Sequence, residues 1–184
     1  MPSIYEFSAP DHVTANMKMV AIQTEIACYA VGMVTVNSHH SCLTDEGLAH
    51  RIGLCPIVQS KLTPQTVGSL VIEAKPGRGV ITEVTTDDIV GIPFAQKTPL
   101  VTLVQNERIE LTLHLAKSVP TVHTKWACVA APVLLAGEDD NQWFIEYENL
   151  GQFTDAELKV ILDGIAEPER LPTTNMYTRI MYPS

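Results

Sequence analysis

Hydrophobic and polar positions along the chain predict a mixed α/β protein. Residues 4–7 read as a short strand. Over 13–27, Val13, Met17, Val20, Ala21 and Thr24 share one helical face. Met19, Ile22 and Ile26 carry apolar character around to a second side. A helix apolar on two sides needs two partners, its own sheet and something else. Residues 29–37 then read as a strand. Segments 67–73 and 80–85 read as strands joined in a hairpin across Lys75-Pro76-Gly77-Arg78-Gly79. Residues 100–104 form another apolar strand. Over 108–115, Ile109, Leu111, Leu113 and Leu115 face one way and Arg108, Glu110, Thr112 and His114 the other, the pattern of a half-buried strand. Segments 129–135 and 142–148 pair across the acidic turn Gly137-Glu138-Asp139-Asp140-Asn141.

Two helices carry explicit boundary signals. In the first, Thr44 is the N-cap, Asp45 and Glu46 lie where the helix dipole favours negative charge, and Leu43 with Leu48 has the spacing of a hydrophobic staple. His50 and Arg51 fall in the last turn, Gly53 suits a left-handed C′ position, and Pro56 blocks continuation. In the second, Thr154-Asp155-Ala156-Glu157 is a capping box, with Phe153 and Leu158 as its staple. Leu158, Ile161, Leu162 and Ile165 form its apolar stripe. Past Glu167, Pro168, Pro172 and Pro183 predict an extended tail over 167–184.

The chain has 184 residues, 46% of them hydrophobic and 18% charged, which suits an ordered domain or two small lobes. Its net charge of −9 argues against general attraction to phosphate backbones, so no direct nucleic-acid contact is expected and protein partners are favoured. The four cysteines, Cys28, Cys42, Cys55 and Cys128, form no C-x-x-C pair. With no signal peptide and no apolar run long enough for a bilayer, they read as reduced thiols in an intracellular, non-membrane protein.

The string Asp45-Glu46-Gly47-Leu48-Ala49-His50-Arg51-Ile52-Gly53-Leu54-Cys55-Pro56-Ile57 resembles the DE-x-x-AHR-x-GL-x-P signature of the α-like assembly subunit of DNA-directed, multisubunit RNA polymerases. That family comprises bacterial α, its archaeal counterpart and the third-largest subunit of nuclear RNA polymerase II. Val84-Thr85-Thr86-Asp87-Asp88-Ile89 resembles the family's V-T-S-x-D-L stretch, and His123-Thr124-Lys125-Trp126-Ala127-Cys128-Val129-Ala130 its H-x-K-W-S-P-V-A turn. Both later motifs favour the eukaryotic–archaeal branch. There are departures. Met19 and Val20 stand where the first helix usually carries paired arginines, Cys128 stands where proline is usual, and the zinc-loop cysteines of some relatives are missing between Pro56 and Val67. This compact form fits a divergent lineage such as a large DNA virus, so the location implied is the nucleus, or the cytoplasm or virion if viral.

The resemblance implies an α+β fold in which an α/β dimerisation lobe (1–38 and 125–166) is interrupted by a mainly β insert (39–124). It implies a non-catalytic scaffold subunit acting in transcription. Met17, Val20, Ala21, Thr24, Leu158, Ile161, Leu162 and Ile165 would pack against a small α-like partner subunit. Asp45, Glu46, His50 and Arg51 would dock the second-largest subunit, with Lys125 and Trp126 on the same surface. Arg51 is the best single candidate, because its guanidinium suits bidentate contacts. Other small polymerase subunits would join the assembly. No cofactor is expected in this chain, magnesium and zinc residing in other subunits.

Other chemistries fit less well. His39, His40, Cys42, His50 and Cys55 could ligate zinc, but their spacing matches no familiar finger. There is no G-x-S-x-G elbow and no glycine-framed cysteine, the 75–79 loop lacks Walker spacing, and no acidic run suits magnesium for nucleotidyl transfer. The rivals to the subunit reading are a stand-alone metal- or ligand-binding domain with a similar helix, and a regulator that mimics the subunit.

Overall fold

A computed structural model describes residues 2–62, 66–77 and 79–165; the expected tail at 167–184 lies outside the described residues. The chain runs β1 (Ser3–Ser8), α1 (His12–Thr24), β2 (Cys28–His40), α2 (Asp45–Gly53), β3 (Val67–Glu73), β4 (Thr82–Thr85), β5 (Pro99–Leu103), β6 (Arg108–Ser118), β7 (Val129–Ala136), β8 (Gln142–Asn149) and α3 (Asp155–Gly164). It is mixed α/β, mostly sheet with three α-helices among the described residues, which fits an α-like polymerase subunit.

Among the described residues three antiparallel sheets form, ordered β1-β8-β7, β2-β6-β3 and β4-β5. In the first, Tyr5 pairs with Ile145 and Phe7 with Trp143, so Tyr5, Phe7 and Ile145 turn inward. There they meet Ala15 and Ile22 of α1 and Leu158 and Leu162 of α3 in one core. The second core gathers Ile109, Leu111 and Leu113 of β6 with Leu48 and Ile52 of α2, Leu70, Val84 and Leu103. The strict alternation of β6 is thus realised: its apolar residues face this core, and Glu110, Thr112 and His114 are half-exposed on the other side. β2 serves both cores, with Cys28 in the first and Val31 in the second. It pairs with β6 from Cys28↔Ser118 to His40↔Arg108, with register shifts between Val31 and Met33 and between Val36 and Ser38.

Several local expectations are corrected. The hairpin across Lys75–Gly79 does not form, because β3 pairs with β6 and β4 with β5. Register explains the choice. Leu70 opposite Leu111 buries an apolar pair on the long β6 strand, and that long-range burial outweighs local loop closure. α1 ends at Thr24, short of residue 27, because Ile26 and Cys28 drop into the core and force the chain to turn. Its start is set by Asp11, whose carboxylate accepts the Thr14 N–H at 2.8 Å. Gly53 is the last helical residue of α2 and is not left-handed; Leu54 caps the helix in ordinary right-handed geometry.

Candidate partner-docking surface

α2 is built as its boundary signals require. Thr44 Oγ1 accepts the Gly47 N–H at 3.1 Å, and Leu48 and Ile52 anchor the helix in the core. A turn of 100° per residue then spreads its charged positions around the helix. Asp45 points back to β2, where its Oδ1 lies 2.5 Å from His39 Nδ1. His39 Nε2 lies 2.6 Å from Ser41 Oγ, which accepts the Leu43 N–H at 3.2 Å.

Ser41, His39 and Asp45 therefore stand in the order of a nucleophilic triad, an arrangement the sequence motifs did not indicate. Its surroundings assign it to structure. The His39 side chain is only 3% exposed, and neither groove flanking α2 is lined by Ser41 or His39. The chain of hydrogen bonds clamps the β2–α2 turn.

Arg51 leaves α2 on one flank, donating to the Leu100 carbonyl at 2.9 Å beside a groove of about 260 Å³ that also touches Cys42, Leu43 and Glu83. Glu46 and His50 lie one turn apart and exposed. Asp45 and Arg51 thus each find a partner within the chain, while Glu46 and His50 remain exposed.

His50 belongs instead to a second cluster. Its ring meets His123 edge-on at 6.4 Å, and His123 meets Trp126 edge-on at 6.3 Å. The 3-10 turn Thr124–Trp126 is capped by His123, whose Nδ1 accepts the Lys125 N–H at 3.0 Å. Trp126 is 8% exposed and donates from Nε1 to the Ala116 carbonyl at 3.0 Å, so its ring is fixed. Over that ring, at 4.5 Å, sits the Lys125 ammonium. Tertiary structure thus brings His50, Lys125 and Trp126 together. It adds His123, a motif residue to which the sequence pattern assigns no role.

The residues expected at the dimer contact divide by burial. Ala21, Leu158 and Leu162 are consumed by this chain's own core, and Met17, Thr24, Ile161 and Ile165 are half-buried. Val20 is exposed, as are Val13 and Val160, the latter at 72%. The outward side of α1 thus carries Val13 and Val20 together with the polar His12, Asn16 and Gln23.

No group of His, Cys, Asp and Glu among the described residues is arranged to hold a metal ion. Cys28, Cys55 and Cys128 are buried and Cys42 is exposed. A hydrogen bond to Cys128, then burial, pushes the Cys28 thiol up, and burial pushes Cys55 up, so neither has the character of a nucleophile. No helix among the described residues is long and apolar enough to cross a membrane.

No family model matches the chain. It is, however, 25% identical over 143 residues to DNA-directed RNA polymerase subunit Rpo3 of Methanocaldococcus jannaschii, a match covering 78% of this chain and 74% of that protein. With the mixed α/β fold and the motif residues gathered around α2, that likeness supports the α-like RNA polymerase subunit family and a role in transcription.

Proposed function

We propose that this chain is a non-catalytic assembly subunit of a DNA-directed, multisubunit RNA polymerase. It would pair with a small α-like subunit and dock the second-largest subunit, so that the catalytic cleft can form between the large chains. The observation that carries this reading is the likeness to Rpo3 over 78% of the chain. A stand-alone ligand-binding domain that merely shares the α2 helix would not match over that length.

The geometry supports each contact separately. The exposed Val13 and Val20 of α1 and Val160 of α3 offer apolar area of the kind obligate interfaces bury. His50, with Lys125 on the same groove, Trp126 buried beneath Lys125 and Glu46 exposed one helical turn away, would offer the polar docking surface. Arg51 retains further guanidinium donors beyond the one given to Leu100. The discontinuous lobe (1–38 with 125–166) and the insert (39–124) would be the units that meet the two partners. Metal chemistry would remain with other subunits.

Affinity purification of the tagged chain from its native source tests this. Stoichiometric recovery of two large catalytic subunits, with promoter-independent RNA synthesis, is expected. A monomer carrying stoichiometric zinc and no polymerase would establish the rival metal-dependent domain.

A further inference from the structure

We infer that the groove between α2 and the Thr124–Trp126 turn takes an acidic side chain, an aspartate or glutamate, presented by a partner polypeptide. This inference rests on the assembly-subunit reading and names the chemistry of one of its contacts.

The groove measures about 200 Å³, and its ionisable lining residues are His50, His123 and Lys125, with no carboxylate among them. In a chain of net charge −9 that is a local reversal of sign. The Lys125 ammonium is held by the Trp126 face and by the Gly32 carbonyl at 3.4 Å, and among the described residues it pairs with no carboxylate. Because the Trp126 ring is itself anchored at Ala116, the ammonium is positioned before any partner arrives.

His123 is set up in the same sense. Its Nδ1 accepts the Lys125 N–H, so the proton of the neutral ring resides on Nε2, which becomes a donor. A carboxylate entering the groove would meet an ammonium and an imidazole N–H, with the exposed His50 on the opposite wall. Gly32, at a register shift of β2, and Gly53 both line the groove; Gly32 is packed against Ala116, and Gly53 lies beside the Val31 carbonyl and the Lys125 side chain. Glu148 lies in an adjoining groove that Lys125 also lines, so a carboxylate placed toward that side would be repelled.

The test uses the complex purified from the native source and treated with a carbodiimide, which joins an amine to a carboxylate already in contact with it. The expected result is an amide between Lys125 Nζ and an Asp or Glu of a co-purifying large subunit. In parallel, Lys125→Glu should lower recovery of that subunit at least tenfold while Lys125→Arg retains it, with thermal midpoints showing both variants folded.

Recovery of the large subunits with no Lys125 cross-link, and with the Lys125→Glu variant binding normally, would overturn the acidic-side-chain assignment and leave the assembly reading standing. Loss of the association on nuclease digestion would assign the groove to nucleic acid and overturn it too. Absence of large subunits from the wild-type preparation would remove the assembly reading, and this inference with it.

Discussion

His39 and Asp45 meet at 2.5 Å across the β2–α2 turn, joining the end of a strand to the first residue of the helix that carries the family-like motif. With Ser41 on its other nitrogen, the buried imidazole satisfies two turn side chains at once. Replacing His39 with alanine removes that partner from both; because water can reach the exposed Asp45 carboxylate, the cost should be about 0.5–1.5 kcal/mol. Urea unfolding would show the loss as a lower midpoint. An unchanged midpoint would mean that the clamp is incidental.

The start of α3 makes a pH-dependent prediction. The Thr154 backbone N–H, and then its hydroxyl, hold the Glu157 carboxyl below the usual carboxylate range. The folded pKa is depressed, so the contribution is fully present above the ordinary glutamate value of about 4.3 and is lost as pH falls through the lower folded value. Glu157→Gln should therefore have a lower thermal midpoint than wild type at neutral pH and converge with it in acid. Thr154→Ala removes the cap itself and should cost about 1 kcal/mol.

Two neighbouring α3 residues should respond in opposite ways. Leu158 is fully buried, and Leu158→Ala should destabilise the isolated chain by about 2–5 kcal/mol. Val160 points to solvent, so Val160→Asp should change stability by no more than about 0.5 kcal/mol. If α3 packs on an α-like partner, the same Val160→Asp change should weaken heterodimer formation at least tenfold in sedimentation or gel filtration. Equal heterodimer yields from wild type and Val160→Asp would rule that face out.

At the other end of α3, Tyr5 donates its phenol to Asp163 at 3.0 Å, fastening β1 to the helix. Burial first, and then this bond, pushes the Tyr5 phenol above its ordinary value; burial does the same to Tyr147. A raised folded pKa means that the contribution is fully present below the ordinary tyrosine value of about 10 and is lost as pH rises through the higher folded value. Ultraviolet titration should show two tyrosines ionising late, and Tyr5→Phe should remove one of them at a cost of about 0.5–1.5 kcal/mol. Five tyrosines titrating together at the ordinary value would contradict the arrangement.

The helices at Thr44 and Thr154 and the alternation of β6 were legible in the sequence because caps, staples and a period of two act within a few residues. The motif around His123 was legible as a string, but its geometry was not. Its capping bond is local, whereas its contact with His50 joins two distant turns. The strand order around 67–85 was not legible, since a loop rich in glycine predicts a turn without naming the strand that the turn serves.

The sequence by itself determined where helices begin, which strand faces a core, and the overall acidity that turns attention to protein partners. Tertiary structure alone decided that β3 joins β6, that Arg51 donates to Leu100, and that His50 meets His123 beside Lys125. The physical reason is separation along the chain. Local preferences follow from neighbouring residues, whereas strand pairing, burial and the sign of charge in a groove depend on residues that meet only after the chain has folded.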